Sequence, residues 1–125
     1  MIWLFALLIL ISQSQQTQFY VDGSDQKTIQ VGRQVQIEAD VTNRQDIEQN
    51  FAYIVQIQNE DDVTISLAWL TGSLAPAQSL SPAISWTPDT PGRYVATIFV
   101  WEGIDNPSPL SHTISMPITV MPQST

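Results

Sequence analysis

Three groups of side chains in this 125-residue sequence are of types that do chemistry. The first is His112, the single imidazole. As a catalytic base it would need a nucleophile and an orienting acid beside it. Ser and Asp are plentiful, but no nucleophile-elbow sequence accompanies them. His112 therefore reads as an ordinary surface residue opening the last strand, and no catalytic residue is assigned. The second group is Asn59-Glu60-Asp61-Asp62, whose oxygens are of the kind Ca²⁺ binds in sets of about six to eight. The run lacks the alternating spacing and glycine of an EF-hand loop. Asp61 and Asp62 are weak calcium candidates, and Asp89 or Asp105 would join them only if the fold gathers the loops. Otherwise no metal and no cofactor is expected. The third group is aromatic and is taken up below with the strands that carry it.

Composition narrows the classes. Twelve acidic residues against four basic ones give a net charge of −8. Four basic side chains cannot neutralise a run of phosphates, so nucleic acid is excluded as a partner. The absence of Cys removes disulfides, thiolate metal sites and cysteine nucleophiles. One His rules out multi-histidine centres.

Residues 1–11, MIWLFALLILI, are wholly apolar and are followed by Ser12-Gln13-Ser14-Gln15. As a helix they would span only about 16 Å, short of a bilayer core of about 30 Å. The length suits the apolar region of a signal peptide. Ser12 and Ser14 place small residues at the −3 and −1 positions of a cut after Ser14. No Lys or Arg precedes the apolar run. Either the charged region is minimal, or the true start lies upstream and the run is a membrane anchor. The expected layout is residues 1–14 as signal peptide or short anchor, 15–27 as a flexible lead-in, 28–121 as the domain and 122–125 as a tail.

From Thr28 onward the pattern has period two, the mark of half-buried strands. Val35, Ile37, Ala39 and Val41 alternate with polar residues. Phe51, Tyr53, Val55 and Ile57 form the next set, then Val63, Ile65, Leu67 and Trp69 beyond the acidic turn. Gly72 and Pro76 mark a loop. Leu80, Pro82, Ile84 and Trp86 share one face of a weaker strand. Thr87 to Gly92 is a turn, Arg93 to Trp101 the strongest strand, and Gly103 to Pro109 a loop. Ile114, Met116, Ile118 and Val120 close the series. Pro117 cannot donate to a ladder, which predicts an edge strand or a bulge there. About seven strands and no amphipathic helix predict an all-β fold, an antiparallel two-sheet sandwich.

Pro91-Gly92-Arg93-Tyr94-Val95-Ala96 resembles the E–F corner of immunoglobulin-like domains, where a Tyr at the start of a strand bonds back to the corner backbone. Tyr94 is the corresponding structural corner. Antibody domains carry Cys two residues later, where this chain has Ala96. The matching position on the partner strand would be Ala39, and Tyr53 falls near the usual core Trp. The sequence is similar to disulfide-free immunoglobulin-like, cell-adhesion-related repeats of bacterial and archaeal surface proteins. Ser66-Leu67-Ala68-Trp69, Leu74-Ala75-Pro76, Ser85-Trp86-Thr87-Pro88 and Phe99-Val100-Trp101-Glu102 resemble extracellular modules of ammonia-oxidising archaea. The resemblance covers about residues 28–120. It implies a secreted or cell-surface protein and carries over no catalytic residue.

If Tyr94 and Ala96 face the core, then Val95, Thr97, Phe99 and Trp101 point outward, with Ala52 and Ile54 beside them. Ile54, Phe99 and Trp101 are the interface candidates. The alternative is that a loop or the N-terminal segment covers this face, or that Trp101 caps the sandwich end. Trp69 and Trp86 are expected in the core or at its rim. The function expected is non-enzymatic: adhesion, recognition or envelope structure through a sheet face or edge. The partner would be a protein or glycan at the cell surface, or a second copy, and a membrane only through residues 1–11 if they are retained. A carbohydrate-binding module and a filament or envelope subunit keeping its apolar N-terminus are the alternatives.

Overall fold

The computed structural model describes residues 18–123, so the segment expected to be a signal peptide lies outside the described residues. Ten strands run in the order β1 (Phe19–Gly23), β2 (Lys27–Gln30), β3 (Val35–Asn43), β4 (Gln49–Gln58), β5 (Thr64–Leu74), β6 (Ser79–Leu80), β7 (Ala83–Trp86), β8 (Gly92–Gly103), β9 (Asn106–Pro109) and β10 (Ile114–Met121). The smaller sheet is built on β3, with β1 on one side and β6 and β7 on the other. The larger has the order β2-β10-β8-β4-β5, and β9 folds back on β8. All pairings are antiparallel except β2 with β10.

The core lies between the sheets and is filled by the period-two residues. Val35, Ile37, Ala39 and Val41 of β3 meet Phe51, Tyr53, Val55 and Ile57 of β4, Ala96, Ile98 and Val100 of β8, and Met116, Ile118 and Val120 of β10. Ala39 and Ala96, at the positions of the missing disulfide, are both buried. A polar bond spans the sheets instead. The Tyr53 hydroxyl on β4 donates to the Ile37 carbonyl of β3 across 3.0 Å. Burial, with the Glu38 carboxylate as a second cause, pushes the Tyr53 phenol well above its ordinary range.

The domain begins earlier than the sequence pattern indicates. Residues 19–23 are a strand of the smaller sheet, where a flexible lead-in was expected. The cause is Phe19, fully buried with its ring centroid 5.8 Å from that of Phe51. Its amide donates to the Leu110 carbonyl at 2.9 Å, which ties β1 to the opposite sheet's loop.

Other expectations are corrected in detail. The count of about seven rises to ten because β1 and β9 are added and the weak Leu80–Trp86 strand splits into β6 and β7 around Pro82. Gly72 lies inside β5 rather than in a loop. It faces the Phe51 ring, which a Cβ at Gly72 would approach to 3.1 Å. The 103–109 loop is a hairpin containing β9. β10 is an inner strand, not an edge, and carries no bulge. β2 joins it only from Ile118 onward, so Pro117 falls where β10 has β8 alone beside it.

Asn43 is the one buried polar side chain among the described residues, and the sequence pattern gave it no role. Its amide nitrogen reaches the carbonyls of Ile47, Leu74 and Ala75 at 2.8, 3.0 and 3.3 Å. Its Oδ1 accepts from the Gln45 amide at 3.0 Å. One side chain thereby pins the β3–β4 loop and the exit of β5 to the end of the sandwich.

Candidate interaction face

The E–F corner is assembled from a turn and a strand start. Gly92 enters β8 at φ 150°, a conformation that side chains rarely adopt. That places the Tyr94 ring over the chain behind it, where its hydroxyl donates to the Thr90 carbonyl at 2.7 Å. Trp86 closes the corner from β7, edge-on to Tyr94 at 5.1 Å and 70°. Burial, then Asp89 and then Glu60, raises the Tyr94 phenol.

The acidic turn lies against this corner. Glu60 Oε1 accepts from the Arg93 amide at 3.2 Å. Asn59, Ile65, Trp86, Thr87, Asp89, Thr90 and Tyr94 line a cleft of about 530 Å³. The fold thus brings Asp89 near the turn, as a calcium site would need. Two of the turn's side-chain oxygens, Asn59 Oδ1 and Glu60 Oε1, are otherwise engaged, however. Asn59 Oδ1 accepts from the amides of Asp61 and Val63 at 2.9 and 3.1 Å. Asp62 holds φ 61°, and both Asp61 and Asp62 point into solvent. Among the described residues no three His, Asp or Glu side chains are grouped as a metal site requires.

His112 sits exposed in the loop before β10. Its neighbour Ser111 spends its hydroxyl on the His112 carbonyl at 3.1 Å.

The outer face of the larger sheet carries the aromatic groups. Register places Trp69 of β5, Ile54 of β4 and Phe99 of β8 in one cross-strand row. Thr71, Ala52 and Trp101 form the next row, and Leu67, Gln56 and Thr97 the row on the other side. Phe99 and Trp101 are half-buried, with rings 5.6 Å apart and tilted by 53°. Ile54 is only 5% exposed although it points away from the core. It therefore offers little area to a partner, which corrects its place among the interface candidates. The physical reason is its position on a central strand, between larger neighbours on both sides.

The open part of the face lies further toward β5. Leu67 and Trp69 are 55% and 52% exposed. Trp69 is thus outside the core and its rim, contrary to expectation. Period two puts Ile65, Leu67 and Trp69 on one side of β5, but the side is the outer one. The inner positions, Ser66, Ala68, Leu70 and Gly72, lie beside Ile57, Val55, Tyr53 and Phe51 of β4 and are mostly small, and Gly72 sits against the Phe51 ring. A β-bulge opposite Ile57 and Gln58 sets Ile65 apart at the cleft.

These features define a disulfide-free immunoglobulin-like β-sandwich with a tyrosine corner and an apolar outer face. The sequence matches the S-layer A-like family over residues 7–117, and the chain belongs to that family. Comparison with curated proteins finds no sequence match. Among solved structures it is similar to the CARDB domain of a Pyrococcus furiosus protein, crystallised in complex with di-metal ions. The two are 18% identical with a TM-score of 0.65, over 86% of this chain and 90% of that one. It is also similar to part of a β-glucosidase from Listeria innocua, at 13% identity and a TM-score of 0.65, over 87% of this chain but 17% of the enzyme. A family 123 glycoside hydrolase from Clostridium perfringens gives 12% identity and a TM-score of 0.64, over 86% of this chain and 28% of that one. These likenesses establish the fold.

Proposed function

We propose that this chain is an exported, non-catalytic module of a cell-surface layer, which holds its neighbours through the outer face of the larger sheet. The observation that carries the reading is the exposure of Leu67 and Trp69 beside the half-buried pair Phe99 and Trp101. A contiguous apolar face on an otherwise acidic domain marks a contact surface. Membership of the S-layer A-like family supports the location. The absence of a catalytic role accords with likeness to glycosidases over small parts of those enzymes only.

Adhesion or envelope structure is favoured over sugar binding. Stacking on a sugar ring needs a flat, open platform, and Phe99 and Trp101 are tilted by 53° and half covered.

The test is fractionation of cells producing the tagged chain, followed by rebinding of the released protein to stripped envelopes. Recovery with the envelope, and rebinding lost in Trp69→Lys, is the expected result. Cytoplasmic recovery, or rebinding by Trp69→Lys equal to wild type, overturns the reading. Mass spectrometry of the envelope fraction should find Gln15 at the N-terminus.

A further inference from the structure

The sheet edges are protected unequally. Exposed edges recruit other strands unless they are short, charged, bulged or broken by proline. The larger sheet ends on one side at β2, four residues long and carrying Lys27. In the smaller sheet β1 has five residues including Asp22, and β7 has four, preceded by Pro82. β5 is different. It is eleven residues long, Thr64 to Leu74, with no charged residue and no proline, and its one bulge, at Ile65 near its start, leaves Ser66 to Leu74 in regular register. It pairs on one side only, with β4.

We propose that β5 pairs edge to edge with β5 of a second copy, antiparallel and centred on Ala68. This deepens the proposed function and rests on its reading of the outer face as the contact surface. Three observations choose this occupant and this direction.

First, the whole strand is neutral in a chain of net charge −8, so two copies can meet here without opposing like charges. Second, the acidic turn Glu60–Asp62 precedes β5. A parallel pair would lay two such turns side by side. The antiparallel pair sets the Asp62 end of one strand against the Leu74 end of the other, so the two turns lie about 40 Å apart at about 3.3 Å per residue. That is well beyond a screening length of about 8–10 Å. Third, the outward row is self-complementary. With Ala68 opposite Ala68 of the second copy, Leu67 of each copy faces Trp69 of the other, an aromatic–aliphatic cross-strand pair made twice. Backbone bonds supply the attachment, and the Leu67–Trp69 pairs fix the register.

The absence of native Cys makes the register directly readable. Full-length chains carrying Leu67→Cys and Trp69→Cys are mixed under mild oxidation. A disulfide between the two variants is expected, at least tenfold above either variant alone. In each single-variant dimer the thiols lie diagonally, beyond disulfide reach. Val95→Cys, exposed on the same face away from the edge, is the control and should not crosslink. In parallel, Trp69→Lys should weaken self-association at least tenfold by light scattering. The double variant Leu67→Glu with Trp69→Lys should recover it, because each Glu then faces a Lys. Circular dichroism checks that each variant is folded, and the thiol mixture stands if a charged variant is not.

No crosslink above the control, or no recovery in the double variant, overturns the β5 pair. If Trp69→Lys still fails to rebind envelopes in that case, the face contacts a different partner and the proposed function stands. Association through residues 1–11 would crosslink neither mixture and would count against the pair.

Discussion

The Tyr94 hydroxyl lies 2.7 Å from the Thr90 carbonyl and holds the β7–β8 corner to the start of its own strand. The bond joins residues four apart, so it organises a turn rather than bridging distant strands. Tyr94→Phe keeps the ring against Trp86 and deletes only the hydroxyl. The loss should be about 1 kcal/mol. For a domain of this size that is a fall in melting midpoint of roughly 5 °C, read by calorimetry. No change would mean that the corner is set by Gly92 and packing alone.

The Tyr53 phenol carries a pH signature. Burial first, then Glu38, raises it far above the ordinary value of about 10. In the unfolded chain it ionises near that ordinary value, while the folded state holds the proton longer. Stability is therefore fully present below about pH 10 and is lost as pH rises from there toward the folded value. Tyr94 shifts in the same direction, through burial, Asp89 and Glu60. Urea unfolding followed against pH should be flat near neutrality and fall above about pH 10, at up to roughly 1.4 kcal/mol per unit for each such group. Tyr53→Phe should lower stability at pH 7 and remove much of the alkaline fall. An unchanged alkaline slope would show that Tyr53 does not cause it.

Legibility of the fold differed from strand to strand for physical reasons. β3 has one wet face over most of its length, so alternation displays the inner residues directly; on β8 both faces are largely apolar, and the Tyr94 corner is what orients it. β5 is ambiguous in this respect. Parity joins Ile65, Leu67 and Trp69 on one side, but nothing in parity says which side is the core. The clue was the size of the intervening residues: Ser66, Ala68 and Gly72 are small, and Gly72 lies against the Phe51 ring. β1 was invisible because a single buried Phe19 anchors it, within a polar stretch. The outer face was legible at Phe99 and Trp101. Its most open residues, Leu67 and Trp69, are not legible because large apolar side chains at period two read equally well as core.

Asn43 is the polar counterpart of that core. Its amide nitrogen serves three carbonyls and its oxygen accepts from Gln45. Asn43→Ala leaves buried carbonyls without a donor and should cost about 3 kcal/mol. Asn43→Asp should do at least as much damage, since an ionised carboxylate only accepts and would face three carbonyl oxygens. Chemical denaturation of the two variants checks both the size and the order. A loss under about 1 kcal/mol in Asn43→Ala would show that water replaces the side chain at no great cost.

Trp69 and Trp101 share the outer face but differ in how far they are embedded, and their alanine variants should separate association from stability. Trp69 is about half exposed on the free-edge strand, so Trp69→Ala should cost less than about 1 kcal/mol of stability. Its loss should appear in envelope rebinding and self-association. Trp101 packs against Phe99 at 5.6 Å and lies in register with the fully buried Ala52. Trp101→Ala opens that layer and should cost about 1–3 kcal/mol. Thermal melts and rebinding measured on the same samples decide the matter. If Trp69→Ala melts lower than Trp101→Ala while rebinding normally, the exposed edge serves packing and the contact surface lies elsewhere.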